Sequence, residues 1–202
     1  MIALVDYGMG NLRSVEKALQ RVGGKVRAVR DAGGVAAAQR LVLPGVGAFG
    51  DCMKNLAAQG LVESIRDFVR SGRPFLGICL GYQLLFEESE ETAGCAGLGL
   101  LPGNVIRFPA GLPLKVPQIG WNNLRFRRPD CPLLRGVPDG SHVYFVHSYF
   151  PCPAEASDVC TETDYGMPFA SMVWRGRMFA CQFHPEKSQD VGLKMLENFV
   201  QL

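Results

Sequence analysis

No stretch of the 202-residue chain approaches the roughly 18 consecutive apolar residues that a membrane-crossing helix requires, although 48% of its residues are hydrophobic. The opening apolar run, Met1-Ile2-Ala3-Leu4-Val5, stops at Asp6 and has no basic residues ahead of it, so it does not read as a signal peptide. Charge of one sign is missing as well. The 21 basic and 19 acidic residues leave a formal charge of +2, which argues against nucleic acid or an anionic membrane as a partner. The densest basic run, Arg125-Phe126-Arg127-Arg128, has a single aromatic and reads as a solvated loop or hairpin. The cysteines, at 52, 79, 95, 131, 152, 160 and 181, are odd in number, and no two have C-x-x-C spacing. No zinc site, metal site or cofactor is therefore expected, and free thiols point to a cytoplasmic protein. Repeats and low-complexity tracts are absent, and residues 1–202 fit one globular domain.

What is present is strand–helix alternation. Ile2–Val5 reads as a strand, followed by a polar, glycine-bearing turn and a helix from Asn11, its expected cap, to about Val22. Lys25–Arg30 and Arg40–Leu43 follow as strands, and Pro44-Gly45-Val46-Gly47 reads as a turn before a helix starting near Asp51. A helix over Leu61–Arg70, a strand over Phe75–Ile78 and a helix over Leu80–Glu87 complete the first half. Such repetition predicts an α/β fold with a mostly parallel central sheet flanked by helices. Between Leu98 and Gly120 prolines and glycines are frequent, which suits hairpins and a smaller mixed or antiparallel β region. Ser141–Val146, Met167–Trp174 and Arg177–Phe183 read as strands, with Arg175-Gly176 as a two-residue turn and an amphipathic helix over Asp190–Leu202 at the end.

The segment Gly77-Ile78-Cys79-Leu80-Gly81 places a thiol between small residues where a strand runs into a helix. That is the frame of a nucleophile elbow, and a helix N-terminus there favours thiolate. A buried structural cysteine is the plainer alternative. A nucleophile needs a base, and His142, His147 and His184 are the only histidines. His184 stands before Pro185, which holds it extended, and Glu186 two residues on is placed to orient the imidazole. Without Cys79, His184 and Glu186 would read as a surface loop. For an oxyanion site, the Leu80 N–H and a peptide of the Pro44–Gly47 loop are the candidates, though spacing alone reads equally well as an ordinary loop. Trp121, in Pro117-Gln118-Ile119-Gly120-Trp121-Asn122, reads by itself as a core residue.

Gly77-Ile78-Cys79-Leu80-Gly81-Tyr82-Gln83 together with Phe183-His184-Pro185-Glu186 resembles the class I, triad-type glutamine amidotransferases. Asp6-Tyr7-Gly8-Met9-Gly10-Asn11-Leu12, Leu43-Pro44-Gly45-Val46-Gly47, Gln118-Ile119-Gly120-Trp121-Asn122 and Tyr144-Phe145-Val146-His147-Ser148-Tyr149 are similar to stretches of the glutaminase subunits of imidazole glycerol phosphate synthases. The resemblance implies that Cys79 attacks the glutamine amide, that His184 moves the proton and that Glu186 orients His184. It implies an oxyanion held by the N–H groups of Val46 and Leu80, and glutamine gripped by Gln83, Glu91 and the backbone at Gly47, Ser148 and Tyr149. It further implies a heterodimer with a (β/α)8-barrel cyclase, contacted by Asn11, Trp121, Tyr144 and Lys187, to which ammonia passes for histidine synthesis. A glutaminase serving another synthase and a catalytically silent scaffold are the competing readings.

Overall fold

A computed structural model describes residues 1–202 and contains no helix long and apolar enough to cross a membrane. The first half alternates as β1 (Ile2–Val5), α1 (Leu12–Arg21), β2 (Val26–Val29), α2 (Ala32–Ala36), β3 (Arg40–Gly45), α3 (Phe49–Ala58), α4 (Leu61–Arg70), β4 (Phe75–Cys79) and α5 (Leu80–Gln83). The second half is richer in strands: β5 (Glu88–Ser89), β6 (Gly103–Arg107), β7 (Gln118–Asn123), β8 (Arg125–Phe126), β9 (His142–His147), β10 (Tyr149–Pro153), β11 (Val159–Asp164), β12 (Pro168–Arg175) and β13 (Met178–Cys181), closed by α6 (Gln189–Gln201).

The central sheet has the order β2-β1-β3-β4-β13-β12-β11-β8; its first five strands are parallel and the remainder antiparallel. Both faces are covered at the centre of the parallel half, so β1 and β4 are buried and apolar throughout rather than alternating, while the edge strand β2 exposes Arg27. Ile2 and Leu4 of β1 join a core with Val15 and Leu19 of α1 and Met195, Leu196 and Phe199 of α6. Ala3 and Val5 point the other way, into a core with Cys52 and Leu56 of α3 and Ile65 and Phe68 of α4. Each fully buried Leu, Ile or Phe contributes about 1.5–3 kcal/mol to such a core. Two smaller sheets have the orders β10-β6-β5 and β7-β9.

Four expectations are corrected. The helix after the elbow ends at Gln83 instead of Glu87, because the carbonyls of Leu84, Leu85 and Phe86 accept N–H groups from Leu98, Leu100 and Gly99 in place of helical donors. The strand over Arg40–Leu43 continues through Pro44 and Gly45; β1 pairing stops at Leu4–Val42, so no neighbour there misses the proline N–H. Asn11 occupies the cap position of α1 but its side chain makes no capping bond. Arg125-Phe126 forms an edge strand on β11, and Arg128 stacks its guanidinium 3.8 Å from the centre of the Trp174 ring.

Candidate active site

Cys79 ends β4 with φ 56° and ψ −110°, one of only two non-glycine residues with positive φ in the chain. That region costs a non-glycine residue about 1–3 kcal/mol, and the surrounding packing imposes it. A Cβ on Gly81 would lie 1.9 Å from the Leu43 carbonyl oxygen, and one on Gly77 would lie 2.8 Å from the Gly81 carbonyl oxygen. Glycines on either side thus let α5 lie hard against β3 and β4, which forces the sharp turn at the cysteine. Since α5 is a single turn of four residues whose N–H groups make no bond to the Cys79 side chain, the sulfur does not have the field of a long helix behind it.

β13 is the immediate parallel neighbour of β4, with Cys181 paired to Ile78. Adjacent strands lie about 4.8 Å apart, so the chain leaving β13 delivers His184 to the sheet edge that bears Cys79. The His184 backbone is pinned: its N–H donates to Tyr144 O (2.9 Å) and its carbonyl accepts from the Ser188 hydroxyl (2.6 Å). His184 is extended (φ −98°, ψ 97°), as the following proline requires. Glu186 reaches it differently from the strand geometry expected, since Pro185–Lys187 form a 3-10 turn. His184 Nδ1 lies 2.8 Å from Glu186 Oε1, with side chains only 4% and 1% exposed. His184 Nε2 makes no hydrogen bond; the Cys79 sulfur beside the ring acts on it electrostatically. Burial by itself would lower the imidazole pKa, but the Cys79 sulfur and the Glu186 carboxylate outweigh it and push it up to about 10.

This has a stability consequence. The folded value lies above the ordinary 6.5, so the native state binds the proton more tightly than the unfolded chain. The contribution is complete below about pH 6.5 and is lost as pH rises to about 10. Urea midpoints should therefore fall between about pH 6 and pH 10 more steeply for the wild type than for His184→Asn. Equal falls in both proteins would contradict the pairing.

The Pro44–Gly47 segment stands opposite the elbow. Leu41 N–H donates to Pro74 O (3.0 Å) and Gly45 is in register with Cys79, which turns the amides and carbonyls of residues 41, 43 and 45 toward β4. The carbonyls of Pro44 and Val46 point the other way, where they accept from the Tyr7 hydroxyl (2.9 Å) and the Cys52 thiol (3.6 Å). Gly45 O accordingly faces the elbow, and the Val46 N–H of the same trans peptide faces away. That peptide must turn over before Val46 N–H can meet an oxyanion at Cys79. Gly47, at φ 96°, and the side chain of Val46, 40% exposed, leave room for the turn.

Cys79, His184, Val46, Gly47, Leu80, Gln83, Glu91, Ser148 and Tyr149 all line one cavity of about 300 Å³, and Glu186 lies behind His184. Glu91 Oε2 accepts from Phe49 N–H (2.7 Å), which fixes the start of α3, and Oε1 is bonded to nothing else in the chain. The Gln83 amide nitrogen donates to Tyr149 O (2.9 Å) and to Gln182 Oε1 (3.0 Å), leaving only its oxygen for a ligand. The four residues expected at a partner surface lie outside the cavity. Trp121 is 48% exposed, which overturns its reading as a core residue, and it packs edge-on against Tyr144 with centroids 6.0 Å apart. Lys187 Nζ sits 5.8 Å from the Tyr144 ring centre, and Asn11 is exposed at the entry to α1. No three His, Cys, Asp or Glu side chains are grouped to hold a metal ion.

Two lining or supporting residues were given no role by the sequence, although His147 was counted among its three histidines and lies in a family-like stretch. His147 is buried, with Nδ1 2.9 Å from Tyr149 O and Nε2 2.9 Å from the Gln118 side chain. Burial pushes its pKa down to about 4, so it is neutral: Nδ1–H donates to the carbonyl, and Nε2 accepts, which requires the Gln118 amide to turn its NH2 toward it. Gln182, fully buried, places its side-chain Nε2 3.8 Å from the Cys79 sulfur.

Residues 3–202 match the family model described as glutamine amidotransferase class-I. The chain is 55% identical to an imidazole glycerol phosphate synthase subunit HisH from Syntrophotalea carbinolica, covering 98% of both chains. It is 54% identical to the subunit of the same name from Moorella thermoacetica, covering 100% of this chain and 94% of that one. Among solved structures, a glutamine amidotransferase superposes with a TM-score of 0.77 at 21% identity over 100% of both chains, and PurLQS from Thermotoga maritima with 0.76 at 19% over 99% and 97%. At those identities the structural likeness speaks for the fold alone.

Proposed function

Because the chain belongs to the class I glutamine amidotransferases, as one of the HisH glutaminase subunits of imidazole glycerol phosphate synthase, we propose that Cys79, His184 and Glu186 carry out its chemistry. The chain hydrolyses glutamine to glutamate and ammonia and supplies the ammonia to a cyclase partner in histidine biosynthesis. One observation carries the residue assignment: a cysteine at a positive-φ elbow and a histidine paired with a buried carboxylate come off neighbouring parallel strands into a single cavity.

In the proposed sequence Cys79 Sγ attacks the carboxamide carbon and the carbonyl π electrons move onto oxygen. Val46 N–H, once its peptide has turned, and Leu80 N–H receive that charge. The His184 imidazolium gives its proton to the departing nitrogen, and ammonia leaves a γ-glutamyl thioester. Neutral His184 then takes a proton from water, whose oxygen attacks the thioester and releases glutamate. Glu186 holds the ring and balances its charge throughout. Glu91 Oε1 and the Gln83 oxygen face the amino-acid end of the substrate, with backbone at Gly47, Ser148 and Tyr149.

The partner is a (β/α)8-barrel cyclase bound as a heterodimer, docking on Asn11, Trp121, Tyr144 and Lys187. Supporting this, Trp121 and Ile119 stand 48% and 63% exposed on β7, and β9 runs from Tyr144 directly to the cavity at Val146 and His147. Tyr144 O also holds the His184 N–H, so the docking face and the base share a hydrogen bond. Residues 1–202 act as one glutaminase domain, and seven free thiols fit the cytoplasm.

The test is ammonia release from glutamine with and without the cyclase carrying its nucleotide. The lone chain should be slow and the complex much faster, because the Gly45–Val46 peptide rests the wrong way round. Trp121→Ala should raise the cyclase concentration needed for half-activation by about 30-fold, the effect of an interface anchor of about 2 kcal/mol. Full activity in the lone chain, or an unchanged half-activation point, would contradict this reading.

A further inference from the structure

We propose that Gln182 is a further catalytic residue, whose side-chain amide donates a hydrogen bond to the Cys79 sulfur and stabilises it as the thiolate. The inference rests on Cys79 being the nucleophile, as proposed above. Gln182 follows β13 and is fully buried, with Nε2 3.8 Å from Cys79 Sγ, within reach for a donor to sulfur. Its backbone is fixed by an N–H bond to Ser171 O (2.9 Å).

The direction of the amide is dictated by its neighbours. An amide can be turned end for end, so its contacts have to be traced to a group that cannot. The Tyr149 carbonyl can only accept, so the Gln83 group 2.9 Å from it must be the NH2. That NH2 also lies 3.0 Å from Gln182, which must therefore present its oxygen there. The Gln182 NH2 is left facing the sulfur. A chain of hydrogen bonds thus runs from the substrate loop at Tyr149, through Gln83 and Gln182, to the nucleophile. Because Gln182 is absent from the cavity lining, it acts on the sulfur from behind and leaves the front open to substrate.

An N–H donor strengthens its bond as the sulfur gains charge, so it favours thiolate over thiol. The titratable groups facing Cys79 are Tyr7 from the turn after β1, Cys52 from α3, Cys181 from β13 and His184 backed by Glu186 after β13. Replacing Gln182 changes none of them.

The experiment measures iodoacetamide alkylation of Cys79 by peptide mass spectrometry in the full chain, with the exposed Cys152 as internal reference. Gln182→Met keeps the length and removes the donor. Its Cys79 rate should fall about fivefold to tenfold at pH 7, the effect of one bond to a charged group, with the deficit closing above about pH 10. An unchanged rate at neutral pH would overturn the proposal. So would an equal deficit at both pH values, which would mean altered access. In the unmutated protein, which needs no tolerated substitution, the Gln182 side-chain amide NMR signal should move when Cys79 is alkylated; a stationary signal would overturn the proposal as well. Neither measurement reads turnover, so loss of this bond is distinguishable from failure of Cys79 as nucleophile, which Cys79→Ala tests.

Discussion

Cys79→Ala is expected to lower ammonia release from glutamine by at least about a thousandfold, in the range seen when a covalent nucleophile is removed. No other group can take over. Cys52 is buried with its thiol directed at Val46 O, and Cys181 is buried with its thiol at Phe183 O (3.5 Å). Burial first, and then nearby negative charge, pushes both thiols above their ordinary range. The fold should survive, because alanine keeps the same backbone strain and loses one sulfur. A single cooperative thermal transition is the accompanying expectation, at a midpoint lowered by the loss of the sulfur's share in holding the His184 proton. Retained activity in a folded variant would remove Cys79 from the reaction.

Gly81→Ala is expected to cost about 3–5 kcal/mol or more, beyond ordinary overpacking, out of a total stability of roughly 5–15 kcal/mol. The new Cβ would stand 1.9 Å from Leu43 O and 2.9 Å from Leu43 C, and both are backbone atoms of a central strand that cannot swing aside. Relief requires α5 to lift from β3, which would also move Cys79. Gly176→Ala is the control. Unlike Gly81, that residue has a positive φ of 59°, and a Cβ there meets nothing within 4 Å, so only the left-handed cost of about 1–2 kcal/mol applies. Similar denaturant midpoints for the two variants would show that close packing is not what holds the elbow.

The pattern of residues disclosed the parallel half of the fold because its longer helices carry their own periodic faces. Leu61–Arg70 appears with the bounds its spacing predicts, burying Leu61, Ile65 and Phe68. α2 escaped notice because Ala32-Gly33-Gly34-Val35-Ala36 has two poor helix formers; its one signal is Asp31, whose carboxylate caps Gly34 N–H (2.8 Å). The early end of α5 was not legible either, since it depends on N–H donors from residues 98–100, which only tertiary structure brings close. Cys79 and His184 stand out locally through flanking glycines and a following proline. Gln182 has no such local mark, because its role depends on a hydrogen-bond chain through residues distant in sequence. The orientation of the Gly45–Val46 peptide was likewise closed to the sequence, being set by strand register and by Tyr7 and Cys52.

The most direct measurement is peptide mass spectrometry after rapid acid quenching of the cyclase complex turning over glutamine. A glutamyl group should be found on the peptide bearing Cys79, and on no other cysteine. Ammonia formation with Cys79 unmodified at every quench time, or a glutamyl adduct on a different thiol, would contradict the account.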